Sequence, residues 1–407
     1  MKKTFFTVGP SKIYPTVPSH IKNALQNDIL SISHRGDQFK NIYGSMTSGL
    51  RKLLNIPETH EIIVLSSALE AMDRVIQSMS HNNTYHILTG NFGKIWMNIS
   101  SDLGKSPESF QFFNWDYISD KAIKQSSNLV KNGIVGEFEN IKIPKKSELV
   151  CITQNDTSTG FSIPMSDIYK LQDKYPEKLF ALDIVSSVPY VDIDYKKLDA
   201  VFFSVQKGFG LPAGLSILIL SPKAIGKTEK LSNLKGYSIG SYHNILKLSK
   251  KSRNNQTNET PNVLGIYLLD CVLKDMLKIG VTNIRKRLDD QARKMYSFFS
   301  TPSLPPSEIK PEYYKDSETG HSSSAYSAFI KEEKYRSVTD PVFEILKGST
   351  PLIKFAAEKG LILGAGYKGS SPGGIDFKEK HIRVANFPAI RETDTKKLLK
   401  VVKDFYK

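Results

Sequence analysis

The sequence has little of what marks an unusual environment. It holds two cysteines in 407 residues. Cys151 lies in the apolar run ELVCIT and Cys271 in YLLDCVLKDML. Neither shows metal-ligand spacing, and two thiols cannot build a disulfide scaffold. Both read as small core residues in a reducing compartment. No apolar stretch approaches the roughly 20 residues of a membrane span. The opening MKKTFFTVGPSKIYP breaks at Gly9 and Pro10, too early for the apolar region of a secretory signal, so a cytoplasmic protein is expected. Arginine is scarce: of 56 basic residues ten are Arg, leaving 46 Lys. The net charge of +15 invites a nucleic-acid reading. The lysines are spread along the chain, however, with no arginine-rich patch or aromatic–basic ladder, which fits a solvated surface and no nucleic-acid partner. If a substrate carries carboxylates, few residues can clamp them bidentately.

What is present is ordinary globular material, 40% hydrophobic and 24% charged. From residue 60 the chain alternates between short apolar runs and helical spacing. HEIIVLSSA reads as a strand and ALEAMDRVIQSMS as a helix. YHILTGNFG is a strand and KIWMNISSDLG a helix. ELVCITQND is a strand, and SDIYKLQDKY a helix with Ser166 as N-cap. KLFALDIVSS, LDAVFFSVQK and LSILILS are further strands. The pattern predicts a mainly parallel sheet covered by helices, with ligands bound beyond the carboxyl ends of its strands. After about Thr260 come two long helical patterns, PNVLGIYLLDCVLKDMLKIG and VTNIRKRLDDQARKMYSFFS. A Pro/Ser-rich segment near 301–327 follows, then a smaller α+β region closed by the helix TDTKKLLKVVKDFYK. The expected division is an N-terminal segment 1–16, a large domain 17–265 and a small C-terminal domain 266–407.

Several polar groups fall just after the predicted strands, where a parallel sheet gathers them at one crevice. Lys207 follows VFFSV and is succeeded by Gly208, Gly210 and Gly214 in SVQKGFGLPAGLS. An ammonium is costly to bury, so its place there calls for a purpose. A lysine beside glycines at a strand end can form a Schiff base with an aldehyde cofactor. A carboxylate one strand away, Asp183, can keep a pyridine nitrogen protonated. The turn SSALEAM opens a helix whose free amides suit a phosphate. Pyridoxal phosphate needs all three. No metal site is expected.

SVQKGFGLPAGLSILIL, preceded by LDIVSSVPYVDIDYKKLDAVFF, resembles the cofactor-lysine region of class V aminotransferases. SHRGDQF and FTVGPSKIYP resemble more narrowly the phosphoserine aminotransferase branch. The resemblance covers roughly residues 5–270. It implies an α/β, fold-type-I transferase dependent on pyridoxal 5'-phosphate, with a mainly parallel-sheet large domain and a smaller α+β C-terminal domain. It implies a homodimer acting on small amino-acid and 2-oxo-acid substrates, most nearly phosphoserine with 2-oxoglutarate.

Residue by residue, the resemblance implies that Lys207 carries the cofactor and moves protons, while Asp183 pairs with the pyridine nitrogen. Phe92 would stack on the ring, where the family more often has tryptophan. Thr157 would bond the phenolic oxygen. The amides of Ala68 and Leu69, with Ser186 and the Gln206 side chain, would surround the phosphate. Thr260, in ETP, would reach the partner subunit's phosphate, although it could equally cap the following helix. Arg383 in KHIRVANFPA would clamp the α-carboxylate. His34 and Arg35 would meet the distal acidic group, or else form a loop that ties down the N-terminus.

The chain departs from the family pattern at three places. The phosphate turn lacks glycines and carries Glu70. No His–Arg pair lies upstream of Arg383, where Tyr367 and Lys368 stand nearest. The segment after Thr301 is long. These departures keep a small-substrate class V aminotransferase, of the serine–pyruvate or alanine–glyoxylate type, as the alternative. A non-catalytic, basic nucleic-acid-binding protein on the same scaffold is a more distant one. A cysteine desulfurase is disfavoured, since neither cysteine resembles an exposed nucleophile.

Overall fold

The computed structural model describes residues 3–112, 138–300, 326–345, 348–367 and 377–407. In chain order the strands are β1 (Thr4–Phe6), β2 (Glu61–Leu65), β3 (Asn83–Leu88), β4 (Ser106–Gln111), β5 (Leu149–Thr153), β6 (Asn155–Asp156), β7 (Phe161–Ser162), β8 (Leu179–Asp183), β9 (Ala200–Ser204), β10 (Ser216–Leu220), β11 (Tyr326–Ala328), β12 (Val342–Ile345), β13 (Leu361–Ala365) and β14 (His381–Arg383). Strands β2, β10, β9, β8, β5, β3 and β4 form a seven-stranded sheet in that order. Pairings β9–β8, β8–β5, β5–β3 and β3–β4 are parallel, and β10 alone runs against its neighbours. The mainly parallel large sheet is therefore as expected. Its central strands are buried along their whole length, which is why they read as unbroken apolar runs.

The helices up to the small sheet are α1 (Val17–Gln26), α2 (Asp37–Leu54), α3 (Ala68–Met79), α4 (Asn91–Asp102), α5 (Met165–Lys174), α6 (Pro222–Ser232), α7 (Ile245–Ser252), α8 (Val263–Ile279) and α9 (Val281–Ser300), of which α3, α4 and α5 connect strands of the large sheet. Helix α3 buries Ala71, Met72, Val75, Ile76 and Met79, the stripe its spacing predicts. Two expected caps differ. Helix α5 starts at Met165 behind Pro164, so Ser166 lies inside the helix; the proline's fixed φ already presets helical entry. Helix α8 is capped by Asn262, whose side chain accepts Gly265 N–H at 2.8 Å, and Thr260 is an exposed residue two positions earlier.

The second sheet has the order β1-β13-β14-β12-β11, antiparallel except for β1 beside β13. Helices α10 (Ser349–Glu358), α11 (Phe377–Lys380) and α12 (Glu392–Tyr406) accompany it. Phe6, Met295, Phe299, Phe343 and Val402 belong to its core. The core of the large sheet includes α8 residues Leu269 and Met276 and continues to Leu288 of α9. Most of the Pro/Ser-rich segment lies outside the described residues. Among the described residues no helix is long and apolar enough to cross a membrane.

Candidate active site

Register across the sheet decides where the polar groups meet. Thr153 pairs with Asp183, Asp183 with Phe202, and Ser204 with Ser216, which in turn faces Leu65. The carboxyl ends of β5 and β8 are therefore level with each other, and those of β9 and β2 reach two residues further. Beyond them, between the two sheets, lies a cavity of about 650 Å³. Lys207, Asp183, Phe92, Thr157, Ser186, Gln206, Ala68, Leu69 and Arg383 all line it.

Lys207 stands three residues past β9 on a turn that requires glycine. A Cβ at Gly208 would lie 1.7 Å from the Val188 carbonyl oxygen, and Gly210 has φ +59° with Tyr14 N 2.6 Å from its would-be Cβ. Lys207 Nζ donates to Thr157 Oγ1 at 2.5 Å and to Ser186 Oγ at 2.7 Å. It lies 5.4 Å from the centre of the Phe92 ring. Burial pulls its amine down to about 8, opposed by the charges of Asp340 and Asp183. An amine whose pKa lies closer to neutral pH reaches its unprotonated, nucleophilic form more readily, as covalent attachment to an aldehyde needs. Burial likewise pushes the Asp183 carboxyl up to about 7, against a hydrogen bond from Val185 N–H at 2.8 Å and the nearby Lys207. A bound cationic ring nitrogen would reverse that shift.

The residues present thus fit pyridoxal phosphate: an amine, an acid one strand away, an aromatic ring above and a helix start beside them. At that helix start the Ala68 N–H is already donated to Ser204 Oγ at 2.9 Å. The acidic departure, Glu70, turns away from the cavity. Its carboxylate accepts from Ser66 N–H at 2.8 Å and Ser66 Oγ–H at 2.6 Å and contacts His243 Nδ1. His243 Nε2 lies 3.3 Å from Glu259, which links the phosphate turn to the segment carrying Thr260.

Arg383 reaches the cavity from the small sheet. Its Nε donates to the Ala365 carbonyl at 2.7 Å and its guanidinium lies 5.6 Å from the Tyr367 ring centre. Tyr367 accepts from Asn91 Nδ2 at 2.8 Å and packs edge-on to Phe92. His34, Arg35 and Thr260 do not line this cavity. Arg35 instead donates to the carbonyls of Thr257, at 2.6 Å, and Asn258, at 3.3 Å. Lys368 lies outside the described residues.

Sequence reasoning missed the N-terminal lid of the cavity, Thr7–Pro10. A Cβ on Gly9 would come 3.0 Å from Lys207 Cε, so this segment lies directly on the lysine. The signal available was the Gly9-Pro10 pair inside an otherwise apolar opening. Asp156, a polar residue at the end of ELVCITQND to which sequence reasoning assigned no role, accepts the Phe92, Gly93 and Ser158 amides with its carboxylate and so fixes where Phe92 sits.

Residues 128–303 match the family model for aminotransferase class-V. A probable phosphoserine aminotransferase of Dictyostelium discoideum is 25% identical over 98% of this chain and 96% of its own. The crystal structure of a phosphoserine aminotransferase from Cytophaga hutchinsonii superposes with a TM-score of 0.83 at 34% identity, covering 99% of this chain and 98% of that one. An alanine–glyoxylate aminotransferase from Nostoc sp. shares the fold, with a TM-score of 0.73 at 17% identity over 100% of this chain and 96% of that one. With a family match across its lysine-bearing region and a full-length relative at that identity, the chain belongs to the class V aminotransferases.

Proposed function

We propose that the chain is a pyridoxal-phosphate-dependent aminotransferase that exchanges the amino group between phosphoserine and 2-oxoglutarate, as in serine biosynthesis. The observation that carries this reading is Lys207, a buried amine at the end of a strand in a cavity shared with Asp183 and Arg383, its pKa lowered by burial. When bound, the cofactor supplies an aldehyde that takes the amino group and a ring that draws electrons from the reacting carbon. Lys207 Nζ holds the cofactor and moves the proton at the substrate Cα. Asp183 keeps the ring nitrogen protonated, and Thr157 and Ser186 orient the lysine. Leu69 and Gln206, which line the same cavity, would hold the cofactor's phosphate. Arg383 holds the substrate α-carboxylate, and the Gly9 segment keeps water from the lysine.

A closed two-fold dimer supplies the rest. His34, Arg35 and Thr260 lie off their own chain's cavity, and a second copy gives them one to serve. The two free cysteines suit a cytoplasmic setting. The small-substrate alternative keeps one specific support: Lys207 and Arg383 are the basic residues lining the chain's own cavity. Amino-donor screening of the purified protein decides between them. Phosphoserine with 2-oxoglutarate should react far faster than serine or alanine with pyruvate or glyoxylate, and the reverse order would install the alternative.

A further inference from the structure

Three buried carboxylates surround Lys207, and they are not equally engaged. Asp156 accepts four hydrogen bonds, from Phe92 N–H, Gly93 N–H, Ser158 N–H and Ser158 Oγ–H. Asp183 accepts one from Val185. Asp340 is 0% exposed, yet neither of its oxygens has a hydrogen-bond partner. An ionised carboxylate in that state must be balanced by nearby positive charge or take up a proton.

Its backbone is firmly held. Asp340 N–H donates to Ser337 Oγ at 2.9 Å. Asn155 Nδ2 donates to that same Ser337 oxygen and to Thr339 Oγ1, each at 2.9 Å. On the other side Val384 N–H donates to the Pro341 carbonyl at 2.9 Å, and Val342 pairs with Arg383. Asp340 is thereby wedged between the β6–β7 turn that carries Thr157, the partner of Lys207, and the strand that carries Arg383.

The charged groups facing it are Lys207 and Arg383, which favour its ionised form, and Asp156, which opposes it; burial holds its carboxyl at about 7. In return, Asp340 acts on Lys207 more strongly than Asp183 does.

We propose that Asp340 is a positioning residue of this site: the buried countercharge shared by Lys207 and Arg383. It lets two cations, one from each domain, occupy one dry cavity, and it governs how readily Lys207 releases its proton. This rests on Lys207 being the reactive amine, so the test reads that amine without requiring turnover. In cofactor-free protein, the rate at which fluorodinitrobenzene arylates Lys207 is followed against pH by peptide mapping. In Asp340→Asn the midpoint should move to lower pH, and Lys207 should react several-fold faster at pH 7. A folded Asp340→Asn protein with an unmoved midpoint overturns the proposal. If that variant does not fold, coupling is read from the other side, because it must be reciprocal. Carboxyl ¹³C NMR should show the Asp340 titration moving to higher pH in Lys207→Ala, and an unmoved titration overturns the proposal. Absence of amino transfer by the wild-type holoenzyme, with these shifts intact, would count against the aminotransferase reading alone.

Discussion

The two ends of the cavity are built on different terms. The cofactor end is made by adjacent strands of one sheet. Hydrogen-bond register levels Thr153, Asp183 and Phe202, so the turns after these strands bring Lys207 into hydrogen-bond reach of Thr157 and Ser186 beside Asp183. The substrate end is assembled from separate pieces. Arg383 comes from the small sheet, the Gly9 segment from the N-terminus, and His34, Arg35 and Thr260 stand outside the chain's own cavity. Placement is rigid where backbone ladders set it. It depends on the packing of distant segments where they do not.

The comparison breaks most visibly at Lys207. Lys207→Ala should lose at least about 10²-fold in turnover, the scale of positioned proton transfer. It should still bind pyridoxal phosphate, now released by denaturation and not trapped by borohydride; unchanged turnover would remove the lysine from the reaction. Asp183→Asn comes next and should cost well over tenfold, above about 1.4 kcal/mol of transition-state stabilisation. Survival within tenfold would mean the ring nitrogen is held otherwise.

Substrate-end changes should be smaller and more selective. Arg383→Ala removes charge-assisted bonds worth about 1.5–3 kcal/mol, so kcat/KM should fall tenfold or more for every amino acid alike. Arg35→Ala should lower kcat/KM for phosphoserine and glutamate while sparing alanine. An equal drop for all three would mean that Arg35 serves only to hold the Thr257–Asn258 carbonyls it bonds. Both variants are compared with wild type at matched sedimentation, so that a change of assembly is not read as a change of substrate contact.

A separate effect is on stability, read without turnover. The folded Asp183 carboxyl titrates at about 7, whereas an unfolded one does so near 4. Between these values the folded chain holds a proton that the unfolded chain has lost, so this carboxyl's contribution to the stability of wild-type cofactor-free protein falls as pH rises from about 4 to 7. Asp183→Asn lacks that term. Its melting temperature relative to wild type should climb across this window and level off above it, and a flat difference would refute the raised carboxyl.

Legibility followed the same division. Strands β5, β8, β9 and β10 were readable because burial on both faces leaves continuous apolar runs. Lys207 was readable because a lysine among glycines at such a strand's end is chemically out of place. Strand β4, SPESFQ, was not, since an edge strand has little apolar content to show. Asp340 looked like any acid before a proline, and only the β12–β14 pairing buried it. Ser166 and Thr260 were cap residues by type, but Pro164 and Asn262 took those positions.

The sequence by itself determined the alternation of strand and helix, the mainly parallel sheet and the residues at its strand ends, because periodicity and burial act over a few residues. Tertiary structure alone decided that β1 joins the small sheet beside β13, that Gly9 lies on Lys207, and that Arg35 turns toward Thr257. Those contacts join residues some 200 positions or more apart, and nothing local in composition or spacing encodes which distant surface a short segment will meet.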